Sequence, residues 1–170
     1  MLIKLPNIFS GAILSAIILV GCTEYSFKVN NRLVYSPAPL FSDFLIKDQA
    51  LNECVKQHIN TQRITAAAQM ITLNCVHAGI QNLSGLEQFS GLQGIKLSHN
   101  AIKNISPLTK LSQLRELYLD HNQVSKIDLL TGLTRLKKLD LKSNPELICS
   151  QVKRLTNLET LIILTPFHCK

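Results

Sequence analysis

From Met70 to the C-terminus the apolar residues recur with a fixed period of 22. Leu92, Ile95, Leu97, Asn100, Ile102, Ile105, Leu108 and Leu111 are matched by Leu114, Leu117, Leu119, Asn122, Val124, Ile127, Leu130 and Leu133 without slippage. A unit of this size cannot bury its own leucines, so neighbours must stack and share a continuous core. Within each unit, apolar residues two apart point the same way from an extended chain, which places them inside a stack of parallel strands. Asn at the ninth place turns the chain, because its amide can bond backbone groups left unpaired by a tight bend and it tolerates unusual dihedrals. The later apolar residues stand three apart, as in a 3₁₀ or irregular return, which Pro107 stiffens. An amphipathic helix or coiled coil is excluded, since Asn and the alternation interrupt any sustained heptad.

The repeat resembles the 22-residue leucine-rich repeats of bacterial proteins, the internalin-like class, over residues 70 to about 165. The resemblance implies an α/β fold: a short solenoid with parallel strands on its concave side and 3₁₀ or irregular returns on its convex side. About five units are expected. The first, from Met70 through Leu73, Cys75, Ala78 and Ile80, is degenerate. The fourth departs after Asn144, with Glu146 at an apolar place, and the fifth, Leu158-Leu161-Ile163, breaks at Pro166. Irregular ends are expected of a capped array.

The N-terminal third follows other rules. Residues 1–21 combine Lys4 with an apolar run ending at Gly21 and read as an export signal, not a persisting membrane span. Leu19-Val20-Gly21-Cys22 resembles a bacterial lipobox, which implies cleavage before Cys22 and acylation of that residue. Two or more acyl chains anchor stably where one is marginal. Thr23 instead of Asp after the Cys favours the outer membrane, with the domain periplasmic or surface-exposed. Residues 22–39 carry no period and read as a lipidated Cys with a flexible tether. Residues 40–69 read as a helical N-terminal cap: Ser42-Asp43 can cap a helix, Phe44 to Ile59 recur at helical intervals, and a second helical stretch is expected over 64–68.

With Cys22 assigned to lipid, Cys54, Cys75, Cys149 and Cys169 remain, an even number in an exported chain. Four thiols allow three pairings; chain order suggests 54 with 75 and 149 with 169. Each such bridge closes a loop of about 20 residues, worth on the order of 3 kcal/mol by the loop-entropy model. The alternative is four buried free thiols, because Cys75 and Cys149 stand at apolar places.

Outward-facing strand places on the concave side form the candidate binding surface. The residues assigned to it are Lys96, His99, Arg115, Tyr118, Asp120, His121, Lys138, Asp140 and Lys142, with Arg115 and Tyr118 central because those types most often anchor interfaces. His77, His99 and His121 share the eighth place, so stacking sets their backbones about 4.8 Å apart. Imidazoles at that spacing can share a divalent metal, or repel when protonated. Polar residues before the Asn are nonetheless ordinary in such repeats, so the column is assigned no metal and no cofactor is expected.

Net charge is +7, falling to +6 when the signal carrying Lys4 is removed. Export argues against nucleic acid as the partner. A protein ligand on the concave face is the first reading, and membrane contact runs through the lipid anchor. The alternative is a structural envelope lipoprotein whose basic face binds lipopolysaccharide or a wall polyanion. Enzyme chemistry has little support: there is no GxSxG, phosphate loop or HExxH, and His168 beside Cys169 is a weak pair.

Overall fold

The structure, a computed structural model, describes residues 26–30, 32–155 and 161–169. The export signal and Cys22 lie outside the described residues. The chain divides into two compact units, Met1–Ala38 and Pro39–Lys170. In the first, β1 (Phe27–Val29) pairs antiparallel with β2 (Arg32–Tyr35) across a turn where Asn30 has φ 46°. The sequence carries no alternation there, so two strands stand within the stretch read as a tether. Such a pairing rests on backbone bonds and turn geometry, which leave little apolar signature.

The second unit is the solenoid. After α1 (Gln49–Gln62) come β3 (Thr72–Asn74), β4 (Gly94–Lys96), β5 (Glu116–Tyr118), β6 (Lys138–Asp140) and β7 (Ile162–Leu164), a parallel sheet in chain order. Leu73, Ile95, Leu117, Leu139 and Ile163 stand in register at its centre. The first three steps are 22 residues and the last is 24. On the convex side, 3₁₀ turns over Leu86–Gln88, Ser106–Lys110 and Asp128–Gly132 return the chain. The repeat leucines, isoleucines and Val124 form one buried cluster from Ile46 to Leu155.

The asparagine at the ninth place joins each unit to the one before it. Asn122 Nδ2 donates to the carbonyls of Leu119 in its own turn (3.0 Å) and Leu97 in the previous one (2.9 Å), and its Oδ1 accepts from Ile102 N–H (3.0 Å). Asn100 does the same with Leu97, Cys75 and Ile80, and Asn144 with Leu141, Leu119 and Val124. The first unit has no predecessor and carries Ala78 at this place. The unusual dihedral, however, belongs to the residue before each of these positions. His77, His99, His121 and Ser143 have φ between 54° and 57°, a left-handed conformation that His adopts more readily than most residues.

Both ends depart from the repeat. α2 (Cys149–Leu155) replaces the fourth 3₁₀ turn, and Leu147, one place after Glu146, supplies the missing buried side chain. Gln151 Oε1 then accepts from Ile127 N–H (2.7 Å) and Asp128 N–H (3.3 Å), closing α2 onto the third unit. This longer arc accounts for the 24-residue step and puts Ile163, not Leu161, opposite Leu139. Leu158, the first residue of the expected fifth unit, lies outside the described residues.

At the N-terminal end the cap is less helical than its spacing predicts. Residues 42–48 are irregular and α1 begins only after Asp48, whose Oδ1 accepts from Leu51 N–H (3.0 Å). The second stretch shrinks to a 3₁₀ turn at Ala67–Gln69. Phe41 and Phe44 meet Phe89 edge-on at 6.0 and 5.6 Å between centroids, covering a side chain with no solvent exposure. That tertiary contact occupies the apolar residues that mimic a helical period. Gly91 lets the turn at Ala67–Gln69 approach the first unit: a Cβ there would lie 2.0 Å from the Ala68 carbonyl oxygen.

Disulfides Cys54–Cys75 and Cys149–Cys169 join α1 to the turn after β3, and α2 to the C-terminal 3₁₀ turn. These are the chain-order pairs, with the free-thiol alternative set aside.

Asp48 also ties the cap to the first unit, its Oδ2 accepting from the N–H groups of Gln81 (3.0 Å) and Asn82 (2.9 Å). Burial alone would raise its carboxyl, but these bonds with that from Leu51 hold it below the usual 3.8. A depressed carboxyl stabilises the fold above its unfolded pKa and loses that contribution as pH falls through the folded value. Asp48→Asn keeps an acceptor for Leu51 but turns amide protons toward the Gln81 and Asn82 N–H groups; it should cost about 1–2 kcal/mol at neutral pH and flatten the acid limb of stability between about pH 5 and pH 2, read by urea unfolding across that range.

Replacing Asn122 tests the ladder. Asn122→Ala leaves buried carbonyls and an amide unpaired and should cost about 3 kcal/mol. Asn122→Asp, the same in shape, turns an anion toward those carbonyls and should cost more, unless the carboxyl stays protonated. Chemical denaturation of the three proteins orders them; equal stability would refute the role.

Candidate functional site

The in-register sheet converts the 22-residue period into columns on the concave face. Places three and five of each unit face outward from the strands, while place four, from Leu73 to Leu139, points into the core. One column runs Asn74, Lys96, Tyr118, Asp140 and Leu164; its neighbour runs Thr72, Gly94, Glu116, Lys138 and Ile162. Backbone bonds continue past the strands, with His99 N–H donating to Asp120 (3.0 Å) and His121 N–H to Lys142 (2.9 Å). The seventh and eighth places are therefore as fixed as the strands themselves.

Tyr118 stands at the centre of this surface. The Nζ of Lys96 lies 5.7 Å from its ring centroid and that of Lys138 5.0 Å, and its hydroxyl donates to Glu116 Oε2 (3.2 Å). An aromatic ring between two cations gains from its quadrupole and holds both side chains in place. The Tyr118 hydroxyl beside it, with the negative charges of Glu116 and Asp140, pushes the Lys138 ammonium above its usual range. Next to the ring, Gly94 leaves an open depression of about 230 Å³ lined by Thr72, Asn74, Lys96, Glu116 and Tyr118.

A second constellation lies along the seventh and eighth places. Asp120 accepts from the Ser98 hydroxyl (2.5 Å) and lies 3.0 Å from His121 Nδ1. Burial would raise the Asp120 carboxyl, but the Ser98 and His121 bonds hold it below its ordinary value. His77 stacks on His99 and His99 on His121, with centroids 4.1 and 4.0 Å apart. Slight desolvation and the charges of His121 and His77 lower the proton affinity of His99, against the pull of Asp120.

Lys96, His99, Arg115, His121 and Lys142 are exposed, and Tyr118, Asp120 and Lys138 half-buried. Asp140 departs from the expected surface. It is 6% exposed, holds Lys142 Nζ at 3.3 Å and accepts from the Lys142 amide, so it orients that lysine more than it meets a ligand. Cys169 is bonded to Cys149, which leaves His168 without a free thiol beside it. Ser98 gains its importance from Asp120, 22 residues away, and Glu116 from Tyr118 two residues on and Lys138 22 residues on. Arg135 was missed because it precedes the strand: with Thr134 it joins Arg115 and Lys137 around an open depression and bonds the Gln113 side chain, the same place one unit earlier.

Known proteins can now be set beside this geometry. The family described as Leucine Rich repeats (2 copies) matches residues 112–152. No curated protein matches. Among solved structures, an internalin C2 from Listeria monocytogenes shares 24% identity and a TM-score of 0.55, over 70% of this chain and 65% of that one. The internalin inlF of the same organism shares 23% and 0.57, over 70% and 43%. The chain thus spans just under two thirds of the first and under half of the second. At these identities the likeness defines the fold, a leucine-rich repeat solenoid.

Tyr118→Phe separates the hydroxyl from the ring. The lysines keep their aromatic partner, and the Lys138 pKa should fall back toward its ordinary value. Site-resolved NMR titration of the lysine side chains measures it; an unchanged Lys138 would refute the assigned cause.

Proposed function

We propose that the protein is a non-catalytic, lipid-anchored envelope protein that docks a protein partner on the concave face of its repeats. The observation that carries this reading is Tyr118, held half-buried at the centre of a curved sheet between Lys96 and Lys138. A preordered aromatic flanked by cations loses little side-chain freedom on binding, and such residues dominate interface energies. Glu116, bonded to the ring hydroxyl, sets the opposite charge beside those cations, which favours a specific partner over a uniform surface. Anchoring at Cys22 in the outer membrane rests on the lipobox-like Leu19-Val20-Gly21-Cys22 and on Thr23. Among the described residues, no helix is long and apolar enough to cross a membrane.

The depression around Arg115, Arg135 and Lys137 favours a second reading, in which a basic face binds lipopolysaccharide or a wall polyanion. No carboxylate lines that depression, and attraction there would weaken with salt.

A photoreactive residue at position 118, activated in living cells, distinguishes the two. One dominant protein adduct is expected, and it should disappear when Lys96 and Lys138 are both changed to Glu. Glycan capture, or none, combined with loss of binding to lipopolysaccharide vesicles by an Arg115→Gln, Arg135→Gln, Lys137→Gln variant, would favour the second reading.

A further inference from the structure

The docking reading takes His99 and His121 only as part of the concave surface and gives the imidazole column no chemistry of its own. His77, His99 and His121 occupy left-handed backbone positions on successive units, and their amides are bonded to the carbonyls of Ser98, Asp120 and Lys142. Their backbones are therefore immobilised while their rings remain exposed. One ligating atom each from His99, Asp120 and His121 lies within 4.8 Å of the other two. Asp120 is held in place by the Ser98 hydroxyl, the outer-shell support that a coordinating carboxylate usually has.

Two imidazoles and one carboxylate suit borderline divalent ions such as Zn²⁺ or Cu²⁺, whereas Ca²⁺ and Mg²⁺ select all-oxygen sets. The distances need little adjustment. Zinc binds nitrogen at about 2.0–2.1 Å, so two ligating nitrogens stand roughly 3.3 Å apart in a tetrahedral site. The rings of His99 and His121 are 4.0 Å apart with planes inclined by 14°, which leaves their lone pairs in nearly parallel planes. Chelation draws these exposed side chains together and gives up one ring stack.

We infer that His99, Asp120 and His121 form a binding site for a borderline divalent cation, typified by Zn²⁺, with its remaining coordination positions open to solvent on the concave face. His77 stacks on the far side of His99 and stands outside the ligand set.

Calorimetric titration of the full chain with zinc chloride, in non-reducing buffer at neutral pH, tests the site. A saturable one-to-one heat is expected, and His99→Asn and His121→Asn should each weaken it by at least about tenfold. Asn is chosen because it also tolerates the left-handed backbone, so the unfolding midpoint should be preserved. His77→Asn should leave the affinity unchanged. In the unaltered protein, zinc should shift the ring proton resonances of His99 and His121 and leave those of His58 and His168 in place, a readout independent of any variant. No saturable heat at millimolar zinc would overturn the inference, as would a His99→Asn, His121→Asn double variant that binds like the parent or zinc-dependent shifts confined to His58 or His168.

Discussion

Everything on the concave face depends on the bond set that Asn100, Asn122 and Asn144 make across the boundary between units. Each amide satisfies a carbonyl in its own turn and one in the preceding turn, and each side-chain oxygen takes an N–H that the bend leaves unpaired. Buried backbone groups must find partners, and here one side chain serves three of them while fixing the offset between neighbours at 22 residues. A slip of one residue would leave those groups unpaired and turn every repeat leucine toward solvent. Register is thus enforced twice, by polar satisfaction and by apolar burial.

Strict register makes chemistry additive along a column. Identical places in successive units stand one strand spacing apart, so any residue type that recurs at a place meets its own kind. Leucine recurring inside gives a core. Histidine recurring at the eighth place gives stacked rings 4.0–4.1 Å apart, and like charges recurring would repel. The fifth and third places avoid that by alternation: Lys96, Tyr118 and Asp140 follow one another in one column, with Gly94, Glu116 and Lys138 beside them. The result is a surface of paired charges around one aromatic, which holds its side chains in place before any ligand arrives.

The sequence made legible what the period controls. The strands, the buried leucines, the outward places and the pairing of Cys54 with Cys75 all follow from spacing or chain order. Features set by contacts outside the period were not legible. Phe44 looks helical because it falls at a helical interval from Leu51 and Val55, yet with Phe41 it is spent on Phe89, and the helix waits for Asp48. The 24-residue last step required knowing that Gln151 would cap the amides of Ile127 and Asp128. Asp140 reads as an exposed acid, yet it is buried and holds both the ammonium and the amide of Lys142, two residues on.

The ends of the array make clear why a repeat this short needs more than its period. An internal unit is covered on both sides by copies of itself, but the first and last present an apolar flank that water would meet. With few units, those two flanks are a large share of the total, and the core per residue is small. The first unit is closed by α1, by the three phenylalanines and by Asp48, with Gly91 admitting the cap backbone at a distance no other residue allows. At the other end the 3₁₀ turn Phe167–Cys169 that follows the last strand is tied to α2 of the fourth unit by the Cys149–Cys169 bridge. Each disulfide ties a capping segment to the unit it covers. Loss of the Cys54–Cys75 bridge should therefore fray the N-terminal end first and reach the Tyr118 surface, two units away, only when the array opens as a whole.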